Sequence, residues 1–235
     1  MNLGLFVEEV SKLGINLTEK QLNQLEIYFN LLIEWNKKIN LTRIVEHDDV
    51  YLKHFYDSLT LFKVDKYFLN FDDEVSICDV GTGAGFPGIV LKIVFPNLKI
   101  TLLDSLQKRI IFLNKVISEL GLTNIETVHA RAEDYAKNHR EEFDIVTSRA
   151  VANLKVLSEL CIPMVKIGGY FIPMKANVEE ELDESKEILK NLASQISTIY
   201  TFNLPVEESV RNIIVIKKLA KTNPIYPRRM DKIKK

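Results

Sequence analysis

The sequence predicts an α/β fold in which a helical N-terminal cap precedes a mostly parallel sheet of seven strands. Two observations predict it. Up to residue 70, apolar residues recur every three or four positions, which is the spacing of amphipathic helices. From residue 75 onward, short apolar segments with strand character alternate with helical segments. This alternation is typical of parallel strands joined by right-handed crossovers.

Three helices are predicted for the cap. The first covers residues 3–13, where the apolar residues form one stripe. The second follows Thr18 and Gln21, which have the spacing of a capping box, and fades at 36–38. The third begins after Asp48 and Asp49, because acidic side chains are favourable at a helix N-terminus.

The remaining chain is predicted to form the sheet domain and a short tail. Strands are predicted at residues 75–80, 98–103, 125–129, 143–147, 169–174, 196–202 and 210–217, and helices at 87–95, 105–120, 153–165 and 179–192. Pro87 suits the first turn of its helix. No helix separates the last two strands, so they pair antiparallel as a hairpin. We expect a cap at 1–70, a sheet domain at 71–220 and a basic tail at 221–235, with a linker at 65–74.

The most informative segment is ICDVGTGAGFPG, residues 77–88, which joins the first strand to the next helix. Glycine adopts positive φ readily and lets a ligand approach the backbone closely. Asp104 ends the second strand about 20 residues after these glycines, where a carboxylate can accept hydrogen bonds from ribose hydroxyls. Together these features predict that a nucleoside-bearing cofactor lies across the first two strands.

Two glycine patterns overlap in this loop. Gly81, Gly83 and Gly85 match the D-x-G-x-G-x-G loop of S-adenosylmethionine (SAM) methyltransferases. The last two of them, followed by Gly88, also match the dinucleotide fingerprint G-x-G-x-x-G. SAM is favoured because Asp79, which precedes the glycines, can reach the ammonium of a methionine moiety but would repel a pyrophosphate. A dinucleotide-dependent oxidoreductase stays as an alternative.

Composition and charge limit the other possibilities. The chain has 235 residues, is 46% hydrophobic and carries a net charge of −1, which argues against a general nucleic-acid coat protein. No segment approaches the roughly 20 apolar residues of a membrane-spanning helix. The two cysteines are typical of buried thiols in a reducing compartment, so we expect a cytoplasmic protein. The four histidines are scattered, and no metal site is predicted.

Basic residues nevertheless cluster in two places. Lys37, Lys38 and Arg43 lie at the end of the second predicted helix and after it. From residue 217 to the end there are eight basic residues and one acid, and Arg228 and Arg229 are among them. We regard these residues as candidates for contacts with RNA phosphates. The alternative is a solvated surface and a frayed end.

The turn after the fourth strand carries Ser148 and Arg149, at the edge of the sheet where substrates bind in such folds. Methylation of pyrimidine carbon 5 needs a cysteine nucleophile, and neither Cys78 nor Cys161 ends a predicted strand. N7 of guanine has a free lone pair and no proton to lose, so its methylation needs orientation more than a general base. Arg149 is the candidate that holds a phosphate, the ribose or the cofactor, and no other catalytic residue is assigned.

The chain resembles the bacterial RsmG (GidB) family, the small-subunit ribosomal RNA guanine-N7 methyltransferases. The matching segments are WNKKINLT (35–42), HFYDSL (54–59), DVGTGAGFPG (79–88), LDS (103–105), RAE (131–133) and SRAV (148–151). The resemblance implies a Rossmann-like, class I SAM-dependent methyltransferase fold and SAM as cofactor. It also implies formation of 7-methylguanosine in the 530-loop region of 16S ribosomal RNA.

The resemblance further assigns residues. It implies cofactor contacts by Gly81, Phe86, Ala132, Glu133 and Arg149, with Asp104 as the ribose acid. His54 and Asp57 either line the RNA entrance or fix the cap onto the sheet domain, and Phe86 either stacks on the guanine or shapes the loop. We expect a monomer that acts on 16S RNA, naked or in the small ribosomal subunit, and that has no membrane partner. A non-catalytic RNA-binding module is a second alternative.

Overall fold

The computed structural model describes residues 1–64, 71, 73–149, 152–176, 178–207 and 209–233. The predicted linker at 65–74 and the last two residues of the SRAV segment lie largely or wholly outside these ranges. Within them, no helix combines the length and the apolar character that crossing a lipid bilayer requires.

The N-terminal region is helical, as predicted. Its elements are α1 (Leu3–Lys12), α2 (Glu19–Ile39) and α3 (His47–Val50), followed without a break by a π-helix (Tyr51–Tyr56), α4 (Asp57–Leu59) and a 3-10 helix (Thr60–Lys63). The predicted capping box is confirmed. Thr18 Oγ1 accepts from the Gln21 N–H at 3.3 Å, and Gln21 Oε1 accepts from the Thr18 N–H at 2.9 Å.

Seven strands form one sheet in the order β3-β2-β1-β4-β5-β7-β6. They are β1 (Ser76–Val80), β2 (Lys99–Asp104), β3 (Ile125–His129), β4 (Phe143–Arg149), β5 (Val165–Lys175), β6 (Ser194–Asn203) and β7 (Val210–Lys218). The first five strands run parallel, and β7 pairs antiparallel with both β5 and β6. The predicted fold class is confirmed.

The four predicted helices of the sheet domain differ from the structure in their ends, and two short helices were not predicted. The observed helices are α5 (Gly88–Val94), α6 (Gln107–Leu120), α7 (Ala132–Asn138), α8 (Leu154–Cys161), α9 (Glu179–Asn191) and α10 (Met230–Ile233), of which α7 and α10 are the two that were not predicted. The predicted helix at 153–165 ends early, because Pro163 has no N–H to donate and the chain turns into a 3-10 helix (Ile162–Met164). The next strand therefore starts at Val165 rather than at residue 169. Pro87 precedes α5 as its N-cap.

The cap packs on one face of the sheet and shares a hydrophobic core with it. Phe6, Tyr28 and Phe55 of the cap belong to the same buried cluster as Ile77 and Leu102 of the sheet. A second cluster fills the opposite face. Polar contacts add to the packing, since Gln21 Nε2 donates to Val94 O at 2.9 Å and Gln24 Nε2 donates to Leu120 O at 2.9 Å.

The C-terminal tail is docked on the sheet domain, so the alternative of a frayed end does not hold for its described residues. Arg140 donates to the carbonyl oxygens of Thr222 (2.7 Å) and Tyr226 (2.6 Å). Ile233 is buried in the second cluster. The docking of the tail could not be predicted from local sequence, because the residues that it contacts lie about 70 to 90 residues earlier in the chain.

Candidate active site

A cavity of about 490 Å³ opens at the carboxyl ends of β1, β2 and β4. This volume falls within the range of about 300–1,000 Å³ typical of cofactor sites, and the position is the one where ligands bind in α/β sheets. Of the predicted cofactor residues, all but Asp79 and Gly85 line the cavity. Those that do are Gly81, Gly83, Phe86, Asp104, Ala132, Glu133 and Arg149.

The glycine-rich loop folds back over β2. The N–H groups of Gly81 and Thr82 both donate to Leu103 O, at 2.8 and 3.1 Å. Gly81 has φ of 69° and Gly83 has φ of 62°, values that side-chain-bearing residues rarely adopt. No atom lies closer than 3.9 Å to where a Cβ of Gly83 would sit, so the loop leaves its cavity side open for a ligand.

Gly85 has a packing role, and its predicted contact with the cofactor stays a prediction. It does not line the cavity. A Cβ at this position would lie 2.6 Å from Tyr28 Oη and 2.7 Å from Ile89 Cδ1. The glycine is needed because the cap helix α2 approaches the loop closely here, and Tyr28 Oη donates to Ala84 O at 2.5 Å.

Asp79 lies beneath the loop and is fully buried. Its Oδ2 accepts from Thr82 Oγ1 at 2.7 Å and from the Gly88 N–H at 2.9 Å. Its Oδ1 has no hydrogen-bond partner among the described residues. Burial raises the pKa of the Asp79 carboxyl to about 6. The unpartnered oxygen suits a cationic group, as predicted for the methionine ammonium, although the carboxylate is not in the cavity wall.

The position of Asp79 bears on the dinucleotide alternative. In that fingerprint the helix N-terminus presents its N–H groups to a pyrophosphate. Here the N–H of Gly88, the first residue of α5, already donates to a carboxylate. A pyrophosphate at this place would lose that donor and meet a negative charge.

Two further carboxylates lie in the cavity wall. Asp104 Oδ2 accepts from the Gly83 N–H at 2.9 Å and from Arg109 Nη1 at 3.1 Å. Asp104 Oδ1 accepts from the Leu106 N–H at 2.9 Å. Oδ2 thus already accepts two hydrogen bonds, whereas Oδ1 has one short bond and a long contact with Arg109 Nη1 at 3.4 Å, so Oδ1 is the oxygen that could accept from a hydroxyl donor. Glu133 is 7% exposed, and its carboxylate forms a long ion pair of 3.9 Å with Arg131 Nη1.

Arg149, the last residue of β4, is held by the cap. Its Nη1 donates to Asp57 Oδ2 and to Lys53 O, both at 3.1 Å, and its Nη2 lies 3.3 Å from His54 Nδ1. The guanidinium also lies over the Phe86 ring, 5.2 Å from the centroid. Asp57 binds a second cation, Arg211, at 3.1 Å, and so joins the cap to two strands.

His54 and Phe86 complete this wall as a stacked pair. Their ring centroids are 4.4 Å apart and their planes are inclined by 17°. His54 Nε2 lies 2.9 Å from Thr42 Oγ1. Burial and the positive charge of Arg149 lower the pKa of His54 to about 3. The imidazole is therefore neutral at physiological pH, and its contacts with Arg149 and Phe86 favour the predicted alternative that His54 fixes the cap onto the sheet domain.

The described residues favour neither nucleophilic catalysis by a cysteine nor a metal site. Cys78 and Cys161 are free, buried thiols, and burial raises the pKa of both. Neither lines the cavity. In the described part of the chain, no group of three or more His, Cys, Asp or Glu side chains is arranged to hold a metal ion.

A model of the GidB family, described as rRNA small subunit methyltransferase G, matches residues 21–210. This chain belongs to that family. It is 52% identical over 227 residues to the "Ribosomal RNA small subunit methyltransferase G" of Oceanobacillus iheyensis, covering 95% of this chain and 94% of that protein. It is 51% identical to the protein of the same name from Bacillus cytotoxicus, covering 97% and 95%.

The fold is shared with more distant proteins. A solved SAM dependent methyltransferase from Aquifex aeolicus superposes with a TM-score of 0.53 at 18% identity, covering 80% of this chain and 98% of that chain. The family assignment and the sheet order together leave no support for the oxidoreductase alternative.

The predicted RNA contacts fall into two groups in this RsmG (GidB) family member. Lys37, Lys38 and Arg43 are exposed, and Lys38 also pairs with Glu34 at 2.8 Å. In the tail, Arg229 is exposed and pairs with Asp231 at 3.4 Å. These residues remain candidates for phosphate contact.

Arg228 is the exception among the tail candidates, because its side chain is bound to a buried carboxylate. Its Nε and Nη2 donate to the two carboxylate oxygens of Glu159, at 2.8 and 2.6 Å. Sequence reasoning also missed other cavity residues, among them Thr42, Arg131 and Met230. Thr42 and Arg131 fall inside the quoted motifs, but no local signal indicates Met230.

Proposed function

We propose that this protein transfers a methyl group from SAM to N7 of a guanine in the 530-loop region of 16S ribosomal RNA. The observation that carries the proposal is the cavity wall. It combines an open glycine loop and two carboxylates with a wall of Arg149, Phe86 and His54, and no cysteine of the described residues lines it. Family membership supports the same activity.

The residues present fit SAM. The open side of Gly83 admits a ligand against the backbone, and Gly81 lines the cavity beside it. Asp104 would accept hydrogen bonds from the ribose hydroxyls, and Ala132 and Glu133 would meet the adenine edge. The unpartnered Asp79 Oδ1 would favour the methionine ammonium. When bound, SAM supplies a methyl group activated by a positively charged sulfur.

The wall of Arg149, Phe86 and His54 would orient the guanine. N7 keeps its lone pair only if nothing donates a proton to it. A neutral His54, whose pKa is about 3, does not present the imidazolium that would cap N7. The Arg149 guanidinium is already bound by Asp57 and Lys53 O, so it holds the wall in place. Positioning and exclusion of water would then carry the reaction.

The RNA partner and the organisation of the chain are part of the proposal. Lys37, Lys38, Arg43 and Arg229 would contact phosphates around the guanine, which must leave its stack to reach the cavity. We further propose a monomeric cytoplasmic protein that acts on 16S RNA, free or in the small subunit. The chain would divide into a cap at 1–70, a sheet domain at 71–220 and a tail at 221–235, with both ends packed on the sheet.

The test is methyl transfer to small ribosomal subunits from cells that lack this enzyme. Subunits are incubated with labelled SAM, and the RNA is then reduced and cleaved with aniline, which cuts at 7-methylguanosine. A single cut in the 530 loop is the expected result. Label without a cut would show that the methyl group is transferred to an atom other than N7 of guanine. SAM binding without any label would contradict the proposal that this RNA is the acceptor. RNA binding without SAM binding would favour a non-catalytic module.

A matched pair of variants ties the activity to the cavity. Asp104→Ala removes the proposed ribose acid and should weaken SAM binding in calorimetry by at least tenfold. That loss corresponds to about 1.4 kcal/mol, the scale of one charge-assisted hydrogen bond. Asp134→Ala removes an exposed acid of α7 that pairs with Lys137 at 3.2 Å, and it should leave binding unchanged. Equal affinity of both variants would refute the role of Asp104.

A further inference from the structure

The C-terminal segment 222–233 reaches the cofactor cavity. Met230 lines the cavity together with Leu157 and Leu160 of α8. All three also belong to, or pack against, the hydrophobic cluster on this face of the sheet. We infer that this segment is a wall of the cofactor site, in which Met230 contacts the bound cofactor and the Arg228–Glu159 ion pair positions it. The inference rests on the proposed function.

The ion pair shows that the protein is built to hold the segment. Glu159 is 1% exposed. The hydrogen bonds to its carboxylate come from Arg228, through the backbone N–H (2.8 Å), Nε (2.8 Å) and Nη2 (2.6 Å). A buried carboxylate without a partner is strongly destabilising. Detaching the segment would leave Glu159 in that state, so the docked arrangement is the favoured one.

The position of Glu159 connects the ion pair to the cavity. Its neighbours on α8 include Leu160, which lines the cavity, and Arg228 precedes Met230 by two residues. Arg140 holds the start of the same segment through the carbonyl oxygens of Thr222 and Tyr226. The segment is therefore held at Thr222 and Tyr226 by Arg140 and at Arg228 by Glu159. Met230 lies two residues after Arg228, close to the second of these attachments.

Coupling between segment and cofactor must act in both directions, because linkage is reciprocal. If the docked segment strengthens cofactor binding, the bound cofactor must strengthen docking by the same factor. Trypsin reports docking directly, since Arg228, Arg229 and Lys232 all lie in the segment. Saturating S-adenosylhomocysteine should therefore slow tryptic cleavage within the segment.

The experiment measures binding of SAM and S-adenosylhomocysteine to the full-length protein by calorimetry. Met230→Ala should weaken both ligands by roughly threefold to tenfold, the effect of losing one apolar contact. Arg228→Ala should weaken them by about tenfold or more, with Arg228→Lys intermediate. The control is Asp231→Ala, because Asp231 is 60% exposed at its side chain and pairs only loosely with Arg229, at 3.4 Å. It should bind both ligands like the wild type.

The outcomes separate this inference from the proposed function. If the wild type binds SAM, but Met230→Ala binds it within twofold and the ligand does not slow cleavage, the inference is wrong and the function stands. If the wild type binds neither ligand, the proposed function fails first and the inference falls with it. Arg228→Ala leaves the buried Glu159 carboxylate without its partner and so also lowers the stability of the fold. Met230→Ala leaves the ion pair intact and keeps the test independent of that effect.

Discussion

The close approach of the cap to the glycine loop predicts that Gly85→Ala destabilises the protein much more than Gly83→Ala. Both glycines have positive φ, 102° and 62°. Only at Gly85 would the added methyl group collide, with Tyr28 Oη at 2.6 Å and Ile89 Cδ1 at 2.7 Å. At Gly83 the nearest atom is 3.9 Å away.

The magnitudes follow from two costs. Placing an L-residue at positive φ costs about 1–2 kcal/mol, and both variants bear it. Forcing a methyl group into a packed interior costs a further 1–3 kcal/mol, and only Gly85→Ala bears that. We expect a loss of about 2–5 kcal/mol for Gly85→Ala and about 1–2 kcal/mol for Gly83→Ala. For a chain of this size, each kcal/mol lowers the melting temperature by about 2–4 °C.

The assay is urea denaturation followed by circular dichroism, with thermal melting as a second measurement. A third protein, Gly85→Ala combined with Tyr28→Phe, tests the cause, because removing the Tyr28 hydroxyl removes the closest clash. The double variant should lose less stability than the sum of the losses measured for Gly85→Ala alone and Tyr28→Phe alone. Equal losses for Gly83→Ala and Gly85→Ala, or strict additivity in the double variant, would refute the steric reasoning.

Two further predictions concern buried carboxylates. Burial raises the pKa of Asp79 to about 6 from 3.8, so its stabilising contribution is present below about pH 4 and lost as pH rises through about 6. As the pH rises from about 4 to about 6, the free energy of unfolding of Asp79→Asn should therefore increase relative to that of the cofactor-free wild type, by on the order of 2 kcal/mol. A pH-independent difference in urea midpoints would contradict this. Asp57→Asn should cost about 2–4 kcal/mol, because Arg149 and Arg211 lose a buried partner. The exposed Asp134→Asn should cost under about 1 kcal/mol, and equal losses would disprove the role of Asp57.

Most of the fold could be predicted from the sequence because its signals are local. Strand alternation, the Thr18–Gln21 capping box and the glycine loop each depend on residues within a few positions of one another. All seven strands were predicted, with errors at their ends. The largest error, at the start of β5, occurred where the apolar pattern of 162–167 suits helix and strand equally. Pro163 and the tertiary pairing of Val165 with Phe143 decide between them.

The site was predicted less completely, because several of its contacts join distant parts of the chain. The residues of the cavity wall on β1, β2 and β4 were found from motifs. The reason for Gly85 was not, since it depends on Tyr28 from α2. Nor could any pattern pair Arg228 with Glu159, 69 residues away. Such contacts leave no periodicity or spacing in the sequence.

These long-range contacts make the cap part of the site. Arg149 belongs to β4, but Asp57, Lys53 and His54, which surround its guanidinium, belong to the π-helix and α4 that follow α3. π-Helical turns are rare and frequent at functional sites. A shift of this helical run would move His54, and with it the ring stacked on Phe86. RNA that binds the cap through Lys37, Lys38 or Arg43 would therefore act on the wall that orients the guanine, and cap substitutions should change turnover even where they leave SAM affinity unchanged.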